Sequence, residues 1–149
     1  MVLLAGLLLG ACPRCRADSV DITLPAAMTF VVSDLGASTG ATQNPTTINY
    51  SNLVGSNLRI GIRADAANFT RPAEAGGYIQ ASLVSWTSSG CGAGGTAYDG
   101  YLQQGSYTTV YEGTAASNSF DMTWTLGIIT QAVRAGDHTL TATWKLESF

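Results

Sequence analysis

One serine in a glycine frame, one histidine and a scatter of aspartates are the residues here whose types could do chemistry. Gly36-Ala37-Ser38-Thr39-Gly40 carries the G-x-S-x-G spacing of a nucleophile elbow, in which a strained turn between a strand and a helix exposes the serine. Asn44 and Pro45 stand where that helix should begin, so the segment reads as a flexible surface loop. The base would have to be His138, which leads the last strand of a chain without α/β alternation. Its neighbour Asp137 is close in sequence, whereas general-base catalysis needs a partner close in space, so His138 reads as an exposed turn residue. Gly90, Gly92 and Gly95 match G-x-G-x-x-G after a strand, but a dinucleotide site also needs the helix whose N-terminus holds the pyrophosphate. Thr96-Ala97-Tyr98-Asp99-Gly100 is no such helix, and a glycine-rich connection is expected instead. Asp34, Asp65, Asp99 and Asp121 carry oxygens suited to calcium but do not share a dense acidic loop. Three cysteines and one histidine make no zinc set. No catalytic, cofactor or metal residue is assigned, and the chain reads as non-enzymatic.

Aromatic and hydroxyl side chains offer binding rather than catalysis. Trp124 and Trp144 lie in phase with the apolar face of their strands and are expected in the core. Trp86 is the candidate for an accessible position: with Tyr98 and Tyr101, and with Tyr107 and Tyr111 further on, it would border an aromatic loop surface that stacks on sugar rings. Thr139, Thr141 and Thr143 point outward in register, as do Thr123 and Thr125 on the preceding strand. Such a row would suit ice, although threonine is also a favoured residue on the solvated face of any sheet.

Composition narrows the classes further. The chain has 149 residues, a length at which one core suffices, and only 11% are charged. Its formal net charge is -3, and no basic patch is present to neutralise phosphates, which excludes nucleic acid as a partner. Met1 to Cys12 form an uncharged apolar run, too short for a bilayer span and of the length of a signal-peptide core. No Lys or Arg precedes it, which points to a start further upstream. Two processing sites compete, with an uncleaved anchor as the remaining alternative. Cleavage after Cys15-Arg16-Ala17 would leave Asp18 first, giving a leader over 1–17 and a domain over 18–149. Leu9-Gly10-Ala11-Cys12 instead resembles a bacterial lipobox, in which Cys12 would be lipidated and would tie the protein to a membrane. The first choice leaves Cys91 alone; the second permits a Cys15 to Cys91 bridge. Either way the protein is expected outside the cytoplasm: secreted, on the cell surface or in the periplasm.

The positioning elements read as strands. Val20, Ile22 and Leu24 alternate with Asp21 and Thr23 until Pro25, and Met28 to Val32 reads as a second, more continuous strand. Asp34 to Pro45 is a loop. Leu58, Ile60, Ile62 and Ala64 face one way, and Arg59, Arg63 and Asp65 the other. Tyr78 to Thr87 is β-rich, and Gly90 to Gly95 is a glycine cluster. Phe120, Met122, Trp124 and Leu126 alternate with Asp121, Thr123 and Thr125; Leu140, Ala142, Trp144 and Leu146 alternate with Thr141, Thr143 and Lys145. Arg134 to Asp137 is a turn between them. Seven or eight strands without an amphipathic helix predict an all-β, immunoglobulin-like antiparallel β-sandwich.

Arg134-Ala135-Gly136-Asp137-His138-Thr139-Leu140-Thr141-Ala142-Thr143-Trp144-Lys145-Leu146 resembles the closing hairpin of exported bacterial pilin-like domains, including the spore-coat-U and chaperone–usher type. Met122-Thr123-Trp124-Thr125-Leu126 separately resembles the distal motif of WxL cell-wall-binding domains. The pilin resemblance implies self-association in which Val20, Ile22 and Leu24 complete a neighbour's sheet by strand addition; the alternative is that they pair within their own domain. The expected function is a secreted structural or adhesive surface protein, fibre subunits included. A carbohydrate-binding module with a surface glycan or protein as partner is the alternative.

Overall fold

The computed structural model describes residues 19–55, 57–72 and 76–149. The leader over 1–17, both processing sites and Cys12 and Cys15 lie outside the described residues. Ten strands follow one another: β1 (Ser19–Thr23), β2 (Thr39–Gly40), β3 (Thr46–Val54), β4 (Leu58–Ala64), β5 (Val84–Ser89), β6 (Gly95–Ala97), β7 (Gly100–Tyr101), β8 (Thr108–Gly113), β9 (Asn118–Leu126) and β10 (Ala142–Ser148). The only helical turn among the described residues is a 3₁₀ turn at Ala81–Leu83, and no helix there is long and apolar enough to cross a membrane. The fold is all-β and built of two antiparallel sheets. One runs β1-β3-β9-β5-β7, with β2 also on β9; the other runs β10-β4-β8-β6.

Ten strands replace the expected seven or eight because β2, β6 and β7 are pairings of two or three residues that carry no apolar alternation of their own. One further expectation needs correction. Met28 to Val32 is not a strand, although Met28, Phe30 and Val32 are half-buried in the expected alternation. Thr46–Val54, to which the sequence reading assigns no element, is a nine-residue strand whose inward side chains are Ile48 and Tyr50.

Alternation elsewhere fixes which faces meet. Leu58, Ile60, Ile62 and Ala64 of β4 are buried against Phe120, Met122, Trp124 and Leu126 of β9 across the space between the sheets. Ser119, Thr123 and Thr125 face outward, and Thr87 lies opposite Thr123 on that outer face. Aromatic rings span the gap. Tyr111 of β8 stacks on Phe120 of β9 with centroids 5.2 Å apart, and Trp124 meets Trp144 of β10 edge-on at 6.5 Å. One lateral side of the two layers is closed by the short crossing from β6 to β7, where Tyr98 N donates to Val110 O and Thr108 Oγ1 to Tyr101 O. The opposite side carries the two edges β1 and β10.

Phe120→Ala should cost roughly 3–5 kcal/mol of stability, because it empties a buried site and removes the ring on which Tyr111 stacks. The neighbouring exposed Ser119→Ala should stay within about 0.5 kcal/mol. Chemical denaturation midpoints of the two variants check the contrast; equal small losses would mean that the sheets do not meet at this ring.

Candidate functional site

Between β10 and the segment that follows β1 the layers do not close. A cavity of about 780 Å³ opens there, in the range of ligand-binding clefts. Its floor is Ile62, Val84, Trp124 and Leu126; one wall is Met28, Phe30 and Val32, and the other is Leu140, Ala142 and Trp144. The turn Arg134 to Thr139 supplies the polar end.

The seam follows from where the last two long strands go. β9 and β10 carry similar alternation, but β9 sits mid-sheet in one layer and β10 at the edge of the other. β10 pairs with β4 from Ala142↔Ala64 to Ser148↔Leu58, and no strand among the described residues pairs with its other edge. The opposite layer covers its inward side chains only in part: Trp144 meets Trp124 edge-on but is only half-buried, and Leu146 is 40% exposed. An edge with unpaired N–H and C=O groups is a template for a further strand, and here it adjoins an apolar trough.

The residues singled out by sequence divide in two. Val20, Ile22 and Leu24 are half-buried against the core, with Ser19, Asp21 and Thr23 exposed, as their alternation requires. β1 pairs antiparallel with β3 in its own chain, over five residues and with a break in register between Ser19 and Asp21. It is held through Asn52, whose backbone is left-handed at φ 55 and whose Nδ2 donates to Asp21 Oδ2 at 2.7 Å.

The aromatic trio is not brought together on a surface. Trp86 is 2% exposed, packs on Trp124 at 5.4 Å and donates from Nε1 to Tyr98 O at 2.9 Å. Its expected place on an accessible surface is corrected: it alternates with Ser85 and Thr87 and follows the inward Val84 by two positions. Tyr98 and Tyr101 are exposed, 39% and 48%. The threonine rows are likewise separated, since Thr123 and Thr125 belong to one sheet and Thr143 to the other.

The motif residues are engaged locally. Ser38 precedes β2 and no helix follows it; the glycines from Gly90 to Gly95 link β5 to β6. Asp34, Asp65, Asp99 and Asp121 each accept a separate hydrogen bond, from Gly36 N, Thr143 Oγ1, Ser88 N and Thr47 Oγ1. Among the described residues no three His, Cys, Asp or Glu side chains are grouped to hold a metal. His138 Nε2 lies 2.8 Å from Arg134 O and helps to fold the polar end of the seam.

At the other end of the layers lies a polar network that sequence reading missed. Tyr50 Oη and Tyr111 Oη are 2.6 Å apart, Tyr50 Oη donates to Ala115 O, and Asn118 Nδ2 donates to Tyr111 Oη and to Gly92 O. Gly92 N donates back to Asn118 Oδ1 at 2.9 Å. Gly95 and Gly113 face each other across β6 and β8, and a Cβ on either would stand 1.9 Å from Tyr111 Oη, so only glycine admits the phenol. Cys91, without a disulfide partner among the described residues, is half-buried beside this network. Every member bonds to protein, which makes the network a lock on the glycine-rich loop.

The chain matches no family model, no curated protein and no solved structure.

Burial, and next the hydrogen bond with Tyr111, raises the Tyr50 phenol well above its ordinary value. The neutral phenol is therefore favoured by folding. Its contribution is intact below the unfolded value of about 10 and is lost as pH rises beyond it. Melting temperatures of wild type and Tyr50→Phe from pH 9 to 11 should show a shallower fall for the variant. Parallel falls would mean that Tyr50 ionises as freely folded as unfolded.

Proposed function

We propose that this protein is an exported, non-enzymatic structural or adhesive surface protein whose copies link by strand addition, in the manner of a fibre subunit. The finer fold reading that goes with it is an immunoglobulin-like sandwich, in which Arg134 to Leu146 resembles the closing hairpin of pilin-like domains. The observation that carries the reading is the seam: an apolar trough bounded by the unpaired edge of β10.

A strand entering the trough must offer apolar residues two apart and a polar face to solvent. Val20, Ile22 and Leu24, with Asp21 and Thr23 between them, have that pattern. β1 is also the strand best suited to leave, being a short edge strand with a broken register whose apolar side chains are only half covered at home. Seated in a neighbour's seam they gain full burial, each such side chain being worth roughly 1.5–3 kcal/mol from full exposure and a fraction of that from the half-buried state. Donor and acceptor are different surfaces, so the contact is head-to-tail and propagates unless the rotation closes a ring.

A second reading, the carbohydrate-binding module, keeps the exposed Tyr98 and Tyr101 but not Trp86. Loss of glycan-array binding on Tyr101→Ala, with the mass distribution unchanged, would favour it.

Complementary variants test strand addition. Ile22→Asp disables the donor and Ala142→Glu the acceptor. By light scattering each variant alone should stay monomeric and a mixture should stop at dimers, while wild type forms a ladder of masses. Monomers in the wild type and in the mixture would overturn the proposal.

A further inference from the structure

Residues 28–32 meet half the requirements of a strand. Met28, Phe30 and Val32 are half-buried and line the seam, while Thr29 is exposed and Val31 is 67% exposed. That is the period of a β-strand with one covered face. Yet the backbone of these residues makes a single backbone hydrogen bond among the described residues, accepted by Thr29 O from Thr42 N at 2.8 Å.

Besides the packing of Met28, Phe30 and Val32 against the core, one side chain holds the segment. Thr29 N donates to Gln43 Oε1 at 2.8 Å, and Gln43 Nε2 donates to Thr29 Oγ1 at 3.2 Å. All three bonds meet at Thr29 and tie it to Thr42 and Gln43, which follow β2 in the β9 layer. Across the cavity stands β10 with its unpaired edge. A segment with the burial period of a strand and a strand edge, both with backbone groups left to water, thus face each other over apolar space that neither fills.

We propose that Met28–Val32 is a strap, which Gln43 holds open and which, once released, closes onto β10. Closure pairs the free edge and fills the seam with the strap's own Phe30 and neighbouring side chains. The strap and an incoming strand then compete for one edge. Because the strap is part of the same chain, its effective concentration exceeds that of a dilute partner, and closure keeps single copies from joining. The competition rests on the strand-addition reading; the closure itself does not.

The test reads closure on the monomer, so it stands whether or not the protein assembles. Hydrogen exchange is followed by mass spectrometry over residues 142–148 in the full chain, at a concentration where the donor-disabled Ile22→Asp background is monomeric. Adding Gln43→Ala should slow exchange there by about tenfold or more, with β9 exchange unchanged. Gln43→Glu keeps an acceptor for Thr29 N but loses the donor to Thr29 Oγ1, and should slow it less. Phe30→Asp added to Gln43→Ala should restore fast exchange. Unchanged or faster exchange over 142–148 in both Gln43 variants would overturn the strap. Slowed exchange in a protein whose wild type never assembles would keep the strap and discard strand addition.

Discussion

A strand with a neighbour on one side only carries a row of N–H and C=O groups that water, and not protein, must satisfy, and the rest of this molecule is arranged around such a strand. β10 is paired to β4 along its whole length and to nothing among the described residues on its other edge. Natural edges are commonly blunted by inward-pointing charge, proline or a bulge. On β10 the charges, Lys145 and Glu147, pair with each other on the outer face, while the inward positions are Ala142, Trp144 and Leu146. Backbone and apolar side chains are thus offered together, and the cavity beside them is the consequence.

The two ends of the layered structure differ in how firmly they are joined. Around Tyr111 the sheets meet through stacked rings and a chain of phenol and amide hydrogen bonds, with Tyr50 at 5.4 Å and Phe120 at 5.2 Å. Towards the seam the inter-sheet aromatic contact is the edge-on pair of Trp124 and Trp144 at 6.5 Å. A firmly locked end lets the other remain open without loss of the fold, because its burial does not depend on what occupies the trough. On the strand-addition proposal, structure and association thereby fall to different parts of one core.

Sequence reading located strands where one face is buried without interruption. Leu58 to Ala64 and Phe120 to Leu126 alternate cleanly because each crosses the middle of a sheet. Thr46 to Val54 escaped because only Ile48 and Tyr50 mark its inward face, among Thr, Asn and Ser. Met28 to Val32 misled in the opposite sense, since alternation reports burial and not pairing. The inward place of Trp86 was legible from Val84 two residues before it; the tyrosines downstream drew attention away. The seam itself was beyond reach, since it depends on β9 and β10, two strands of like pattern, entering different sheets across a long connection from Gly127 to Thr141. The candidate donor residues were visible one strand at a time, whereas the proposed acceptor is formed only where segments distant in sequence meet.

Titrating a synthetic peptide spanning Ser19 to Leu24 into ¹⁵N-labelled protein, with backbone amide shifts followed by NMR, tests the acceptor most directly. Saturable shifts centred on Ala142, Trp144 and Leu146, with the Tyr50 and Tyr111 end undisturbed, are the result that strand addition at the seam predicts. Shifts confined to Thr46–Val54, where the peptide would merely replace β1 on its own partner, or no shifts at all, would contradict it.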